Sequence, residues 1–339
     1  MQVGRLESPA ARDYIVRLDT GQRQSLPVCP VPDYYSACVE NKGRLPYHLL
    51  SANSRLLYKS AYQEGNLVFE LSQFSLKGKT AIVTGGGRGI GKAIAVGFAK
   101  AGAKVAITSR KIADLESTAA EIKKFGGEAY PIQAHLGKME EIQMMVATAM
   151  EKLGGRIDIL VNNAGASPAM ASVLESDERL WETIMNVNLK GMYFTSQAVA
   201  NIMKKQGGGK IINIASVDGF KPEPAVSVYS ISKAGARMIT KAFAAELIAD
   251  NIQVNTIAPG PIETKMMNSH WAHLPPEDAK KTHDMVAGML PSGRIGDPDE
   301  IAGAAVYFAS PASNYTTGTE MVIDGGLLIS TIQPDWIKD

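Results

Sequence analysis

Thr80-Ala81-Ile82-Val83-Thr84-Gly85-Gly86-Gly87-Arg88-Gly89-Ile90-Gly91 is the stretch that decides how this chain folds. Its first five residues, apolar or β-branched, read as a buried strand, and the glycines that follow permit a tight turn. Beyond the turn, Ile90, Ala93, Ile94, Gly97, Phe98 and Ala101 recur at helical spacing and mark one face of a helix. Glycines placed between a strand and an amphipathic helix let the backbone approach a pyrophosphate, which rests on the positive helix N-terminus. Such a turn also occurs where nothing binds, so the neighbouring sequence has to decide.

The same alternation continues outward. Residues 105–108 form a second short apolar run, and the helix after it is expected to bury Ile112, Leu115, Ala119 and Ile122. It stops at Gly126-Gly127, where a left-handed residue suits glycine. A third run at 129–133 precedes a helix that stacks Ile142, Met145, Val146, Ala149, Met150 and Leu153 and ends at Gly154. Further strands are predicted at 157–161, 210–214, 253–257 and 320–323, with long helices near 179–204 and 227–249. Strands of this kind, mostly without polar alternation, are buried on both faces. The expected fold is a single α/β Rossmann-like doubly wound domain with a seven-stranded parallel sheet.

The 35 basic residues nearly balance the 34 acidic ones, so charge gives no reason to expect nucleic acid or an anionic membrane as partner. Cys29 and Cys38 are the only cysteines, which excludes a disulfide framework as the source of stability and fits a reducing cytoplasm. No apolar run is long enough to span a bilayer. Glu7, Asp13 and Asp19 interrupt the N-terminus, which argues against a signal or transit peptide, and Ile337-Lys338-Asp339 is not a peroxisomal tripeptide.

Residues 1–67 lack a sustained period and read as an N-terminal extension to a domain at 68–339. The extension has three readings: a segment packed on the domain or across an oligomer, a disordered tail, or upstream sequence outside the working enzyme. Because the first strand begins at Thr80, a chain starting at Val68 is expected to fold and keep full specific activity. Thermal unfolding and turnover of both lengths check this; an insoluble or inactive short form would make the extension part of the enzyme.

The turn has the order threonine-glycine-three residues-glycine-x-glycine. With Asn162-Asn163-Ala164-Gly165, Tyr229-Ser230-Ile231-Ser232-Lys233 and Pro259-Gly260, it resembles the short-chain dehydrogenase/reductase family over roughly residues 75–330. The resemblance implies an oxidoreductase that transfers hydride between a nicotinamide dinucleotide and a CH–OH or carbonyl group. It assigns Gly85, Gly87, Arg88, Gly89, Ile90 and Gly91 to the pyrophosphate turn, and Asn163, Ala164 and Gly165 to the neighbourhood of the ribose. Pro259, Gly260, Ile262 and Thr264 would meet the nicotinamide end.

At the end of strand two an aspartate would bind both ribose hydroxyls and repel a 2′-phosphate. This sequence has Ser109 and Arg110 there, and Arg88 in the turn, so NADP(H) is expected over NAD(H). After strand three the family's usual aspartate, which accepts from the adenine amino group, is replaced by His135, followed by Leu136. A neutral imidazole can accept one hydrogen bond through its unprotonated nitrogen; the other reading is a loop histidine without a role. His135-Leu136-Gly137 and Thr108-Ser109-Arg110-Lys111 are similar to the branch of NADP-dependent carbonyl and retinol reductases.

Tyr229 and Lys233 are four apart, so phenol and ammonium share a helix face. A neighbouring cation lowers a phenol's pKa, and the expectation is that Lys233 does so for Tyr229, the general acid/base. In the family Lys233 would also bind the ribose hydroxyls. Ser216, 13 residues before Tyr229, would hydrogen-bond the substrate oxygen, and Asn188 would hold a water in a proton relay.

His270, His273 and His283 show no fixed ligand spacing, and no metal is expected. Met266, Met267, Trp271, Met285, Met289 and Leu290 either line a lid over an apolar carbonyl or alcohol substrate, or pack against the protein's own core or a neighbouring subunit. Within the class, a 3-oxoacyl-thioester reductase and an NAD-linked sugar or steroid alcohol dehydrogenase are the alternatives. A non-catalytic nucleotide sensor is disfavoured, since all four catalytic positions are present. The family also implies a homo-oligomer, commonly a tetramer, with the two long helices as interface.

Overall fold

The structure is a computed structural model that describes residues 70–167 and 169–330. The extension at 1–67 with its cysteines, its boundary with the domain, and the C-terminal tripeptide lie outside the described residues. Seven strands form one sheet: β1 (Thr80–Thr84), β2 (Lys104–Ser109), β3 (Glu128–Gln133), β4 (Ile159–Asn162), β5 (Gly209–Ile214), β6 (Ile252–Pro259) and β7 (Glu320–Ile323). Their order is β3-β2-β1-β4-β5-β6-β7, and every pairing is parallel. The order reverses between β1 and β4. At such a switch point a crevice opens outside the carboxyl ends of the strands.

Successive residues of β1 face opposite sides, as the pleat requires. Ala81 and Val83 join a core with Phe98 of α1 (Gly89–Lys100), Leu115 and Ile122 of α2 (Ile112–Lys124), and Ile301 and Phe308 of the last long helix (Asp299–Ala309). Ile82 joins the core on the other face, with Ile142 and Met145 of α3 (Met139–Lys152) and Val199 and Met203 of the helix at Met192–Gln206. The doubly wound α/β arrangement with helices on both faces is therefore the one the sequence pattern predicts.

Several local features differ from the sequence reading. Ile112 is 39 % exposed rather than buried, because as the first residue of α2 it precedes the turn that packs on the sheet. β4 begins at Ile159, not 157; Asp158 is instead tied to the start of β1, accepting from the Thr80 amide at 3.0 Å and from its hydroxyl at 3.1 Å. The helix expected over 179–204 is three pieces. These are α4 (Glu178–Met185), a π-helical segment (Asn186–Gly191) and α5 (Met192–Gln206). The wider turn carries Asn188, fully buried, toward the loop after β4. Gly191 completes it, since a Cβ there would collide with the Leu136 carbonyl. The remaining helices are α6 (Ser227–Leu247), the short α7 (Lys265–Asn268), α8 (Pro276–Met289) and α9 (Asp299–Ala309).

One charge sits badly in this sheet. Lys210, in β5, is 9 % exposed, and among the described residues its ammonium has only the Ser313 hydroxyl at 3.3 Å as partner. Burial, with Lys79 nearby, lowers its pKa to about 8. The folded protein thus disfavours the proton relative to the unfolded chain. The cost is fully present below about pH 8 and is relieved as pH rises toward the ordinary lysine value. Lys210→Met is expected to stabilise the protein at pH 7 by about 2 kcal/mol. Thermal unfolding at pH 7 and pH 10 checks this; a gain that does not shrink at pH 10 would remove the charge as its cause.

Candidate active site

A cleft of about 810 Å³ runs along the carboxyl ends of the strands. Its walls are made by the turn after β1, the ends of β2 and β3, the loop after β4, the β5–α6 connection and the segment after β6. At one end the Gly85 and Gly86 amides donate to the Thr108 carbonyl at 2.7 and 3.2 Å, folding the turn back on β2. Gly85 has φ +69, and a Cβ on Gly91 would collide with the Gly85 carbonyl and the Asn163 side chain. Only glycine allows that approach. The N-cap residue Arg88 makes no side-chain cap bond to the start of α1, and the helix N-terminus faces the cleft where an anion can meet its first N–H groups.

The loop after β4 is fastened to this turn through Thr84. Its hydroxyl accepts from the Asn163 and Ala164 amides at 2.9 and 3.0 Å and donates to the Val161 carbonyl at 3.1 Å. The Asn163 side chain returns a bond to the Thr84 carbonyl at 2.9 Å. Pro259 and Gly260 at the end of β6, with Ile262 and Thr264, line the same cleft. Gly260 lies against Asp324, leaving no room for a Cβ.

At the end of β2, Ser109, Arg110 and Lys111 reach the cleft, with Arg88 across from them in the turn. Both arginines are exposed, and neither is in an ion pair among the described residues. Asp114, which the sequence reading passed over, lines this end as well and packs beneath Gly87. His135 and Leu136 border the cleft after β3. The imidazole does not offer the acceptor expected of it. Its Nδ1 already accepts from the Gly137 amide at 3.0 Å, so the remaining nitrogen, Nε2, carries the proton.

At the other end Ser216, Tyr229 and Lys233 converge. Ser216 ends the run that follows β5, and its hydroxyl accepts from the Asp218 amide at 3.2 Å. Tyr229 and Lys233 project from the first two turns of α6; the ammonium lies 5.5 Å from the centre of the phenol ring and donates to the Ile214 carbonyl at 2.9 Å. Burial lowers the pKa of Lys233 to about 8. The phenol of Tyr229 is pushed above its ordinary value, first by burial and then by the Asp218 carboxylate, while hydrogen bonding with Ser216 opposes the shift. In the protein alone, desolvation thus outweighs the lowering expected from Lys233.

Asn188 is the one catalytic candidate that does not line the cleft. It stands behind the wall, accepting from the Ala166 amide at 2.7 Å and donating to the Ala166 carbonyl and the Ser232 hydroxyl at 3.0 and 3.1 Å. Ser232 in turn donates to the Tyr229 carbonyl at 2.7 Å, so it ties Asn188 to the helix that carries the phenol. That link has no signature in residue spacing, and neither has the crowding at Gly219, where a Cβ would lie 2.9 Å from the backbone of Lys233. Asp218 was also missed. Its pKa is raised to about 6, by burial and by Glu223, and both carboxylates reach the cleft.

The apolar segment after β6 divides between its two readings. Trp271 and Leu290 pack into a small core with Ile295, yet both also border the cleft. Met289 is 62 % exposed and lines the cleft, whereas Met285 is exposed and does not. His283 pairs with Glu263, fixing α8 to the segment after β6, and among the described residues no three potential ligands could hold a metal.

A family model described as enoyl-(acyl carrier protein) reductase matches residues 85–328. The 3-oxoacyl-[acyl-carrier-protein] reductase FabG of Thermotoga maritima is 39% identical over 254 residues, covering 75% of this chain and 99% of that protein. Dehydrogenase/reductase SDR family member 4 of Oryctolagus cuniculus is 37% identical over 251 residues, 74% of this chain and 94% of that protein. Among solved structures, a gluconate 5-dehydrogenase from Burkholderia cenocepacia in complex with NADP and tartrate superposes with a TM-score of 0.70 at 35% identity. That match covers 77% of this chain and 99% of the other.

Proposed function

The chain belongs to the short-chain dehydrogenase/reductase family of oxidoreductases, and from this premise we propose that it reduces a ketone or aldehyde to an alcohol, reversibly, with NADP(H). The observation that carries the reading is one cleft with two ends. An uncapped helix start and a glycine cradle lie at one, and a serine, a tyrosine and a lysine meet at the other. The cradle fits a dinucleotide, because Gly85 and Gly91, where Cβ atoms would strike Asn163 and the Gly85 carbonyl, let the turn close tightly at the start of α1, where a pyrophosphate would meet the helix N-terminus. When bound, the nicotinamide supplies or accepts the hydride.

The protein's own residues orient the carbonyl and handle the proton. Ser216 donates its hydroxyl to the carbonyl oxygen, where negative charge grows as the hydride arrives. Tyr229, kept protonated at neutral pH by its surroundings, gives that oxygen its proton. Lys233 holds the ribose hydroxyls, and its charge stabilises the phenolate that forms. Asn188 acts from behind, by holding the loop at Ala166 and, through Ser232, the start of α6. The borders formed by Met266, Met267, Trp271 and Met289 suit an apolar substrate body.

Similarity to 3-oxoacyl reductases over nearly their whole length supports a second reading, a 3-oxoacyl thioester as substrate. Rates with simple ketones, aldehydes and a 3-oxoacyl thioester, each with NADPH and NADH, test both; no turnover of any carbonyl would defeat them. A homotetramer is the assembly we propose, supported by large apolar side chains left exposed on the two long helices, Tyr193 and Met238.

The cofactor preference rests on Arg88 and Arg110, with no acidic residue at 109. Arg110→Ala is expected to weaken NADPH about tenfold or more, as loss of a charge-assisted phosphate contact does, while leaving NADH nearly unchanged. Equal losses for both would make Arg110 structural, and a wild-type preference for NADH would overturn the assignment.

A further inference from the structure

We propose that His135 reads the purine of the dinucleotide as a hydrogen-bond donor, so that this enzyme does not select the 6-amino group of adenine. It would then bind a hypoxanthine dinucleotide about as well as the adenine form. The inference rests on the reading that the cleft holds a nicotinamide dinucleotide.

It starts from the way the ring is held. His135 follows β3 on the wall of the cleft, at the far end from Tyr229. Its own amide donates to Glu141 Oε2 at 2.7 Å, and Glu141 is fixed in turn by Lys138 at 2.9 Å. Its carbonyl accepts from the Lys138 amide at 3.0 Å. With the backbone held on both sides, the ring folds over Gly137, whose amide donates to Nδ1 at 3.0 Å. A Cβ at 137 would lie 2.9 Å from Cε1 and 3.1 Å from Nδ1, so glycine is what lets the ring lie there.

A ring nitrogen that accepts a hydrogen bond carries no proton, and the neutral ring must then carry it on Nε2. Turning the ring over would put a carbon opposite the Gly137 amide and forfeit that bond. Nε2 has no hydrogen-bond partner among the described residues. What this side chain presents is therefore an N–H.

That polarity decides which base is favoured. Adenine offers a donor, its 6-amino group, and an acceptor at N7. A purine with a 6-oxo group has acceptors at both places. A carboxylate, being acceptor-only, pairs with the amino group and repels the oxo group. The Nε2–H pairs with N7 of either base and with O6 of hypoxanthine, and it gains nothing from the amino group.

The test measures binding and needs no carbonyl substrate. Reduced NADP and its hypoxanthine analogue are titrated into the full-length protein and followed by nicotinamide fluorescence, with the corresponding NADH pair alongside. Wild-type affinities for the adenine and hypoxanthine forms are expected within about threefold of each other. His135→Asp, whose carboxylate can still accept from the Gly137 amide, is expected to favour adenine by about tenfold or more, the discrimination of one well-placed base contact. A wild-type preference for adenine of tenfold or more, or an unchanged ratio in His135→Asp, would overturn the proposal. If neither dinucleotide binds, the functional reading itself fails and takes the proposal with it. If only NADH binds, the phosphate preference fails, and the ratio within that pair still decides the role of His135. Nitrogen NMR of histidine-labelled protein is independent of any variant. It is expected to show His135 bare at Nδ1 and protonated at Nε2, and the opposite tautomer would refute the assignment.

Discussion

Tyr229→Phe is expected to lower turnover by about 10²–10⁴-fold while dinucleotide affinity stays near that of the wild type. The phenol is the proton donor in the reading above, and its ring contributes little else to the site. Phenylalanine preserves the ring against Lys233 and removes only the hydroxyl. The raised pKa adds a pH signature. A phenol held above its ordinary value is protonated throughout the neutral range, so it gives carbonyl reduction no pH dependence of its own there, and any that is seen belongs to Asp218 and Lys233, with pKa values of about 6 and about 8. Alcohol oxidation needs the phenolate, and its rate is expected to rise about tenfold per pH unit below that pKa. Stopped-flow rates in both directions, with fluorescence titration of the cofactor, check these expectations. Near-wild-type turnover in the variant would remove Tyr229 from its role.

The second large effect is expected at Gly91. An alanine there meets the Gly85 carbonyl and the Asn163 side-chain amide, both of which shape the turn after β1. One of these must move, and the Gly85 carbonyl is backbone, with no rotamer to escape into. Gly91→Ala is expected to cost about 1–3 kcal/mol in stability, as overpacking does, and to weaken dinucleotide binding by at least about 100-fold, since the displaced turn is the cradle itself. Gly126→Ala is the control. That glycine has φ +82 but open space around it, so the variant is expected to lose about 1 kcal/mol and no affinity. Wild-type affinity at an unchanged melting temperature in Gly91→Ala would sink the argument.

The architecture was legible in the sequence because its signals are local. β1 and β7 fall where the apolar runs place them, and Gly126 and Gly154 have the left-handed φ expected of helix ends. The offsets in α1 and α3 pick out residues that the structure buries, among them Ile94, Phe98, Ile142 and Ala149. What was not legible depends on partners distant in the chain. Asn213, Thr240 and Thr256 lie in stretches read as apolar strand and helix, and Asn162 was read only as part of the motif after the fourth strand. The structure links them in a buried chain of side-chain bonds of 2.8, 2.8 and 2.7 Å, from β4 through β5 to α6 and β6. No spacing rule announces such a chain, since each member is satisfied only by residues of another element. The π-helical segment was hidden similarly, because its cause is the place Asn188 must reach. The direction of the Tyr229 shift was missed because a sequence shows which charge is four residues away, not how much water is excluded.

The Thr84 hydroxyl has a consequence for synthesis. The amide it receives from Asn163 belongs to a residue made 79 positions later, and Tyr229 is later still. A nascent chain that has emerged only through α3 can contain β1, β2 and β3 and still lack the Asn163 and Ala164 amides that fasten the loop after β4 to Thr84. A proteolytic fragment cut before Asn163 is in the same position. On the proposed function, a chain that stops before Asn163 lacks the residue that fastens the dinucleotide cradle. When the dinucleotide binds, it shifts the folding equilibrium only of chains in which β1 and β4 have already paired.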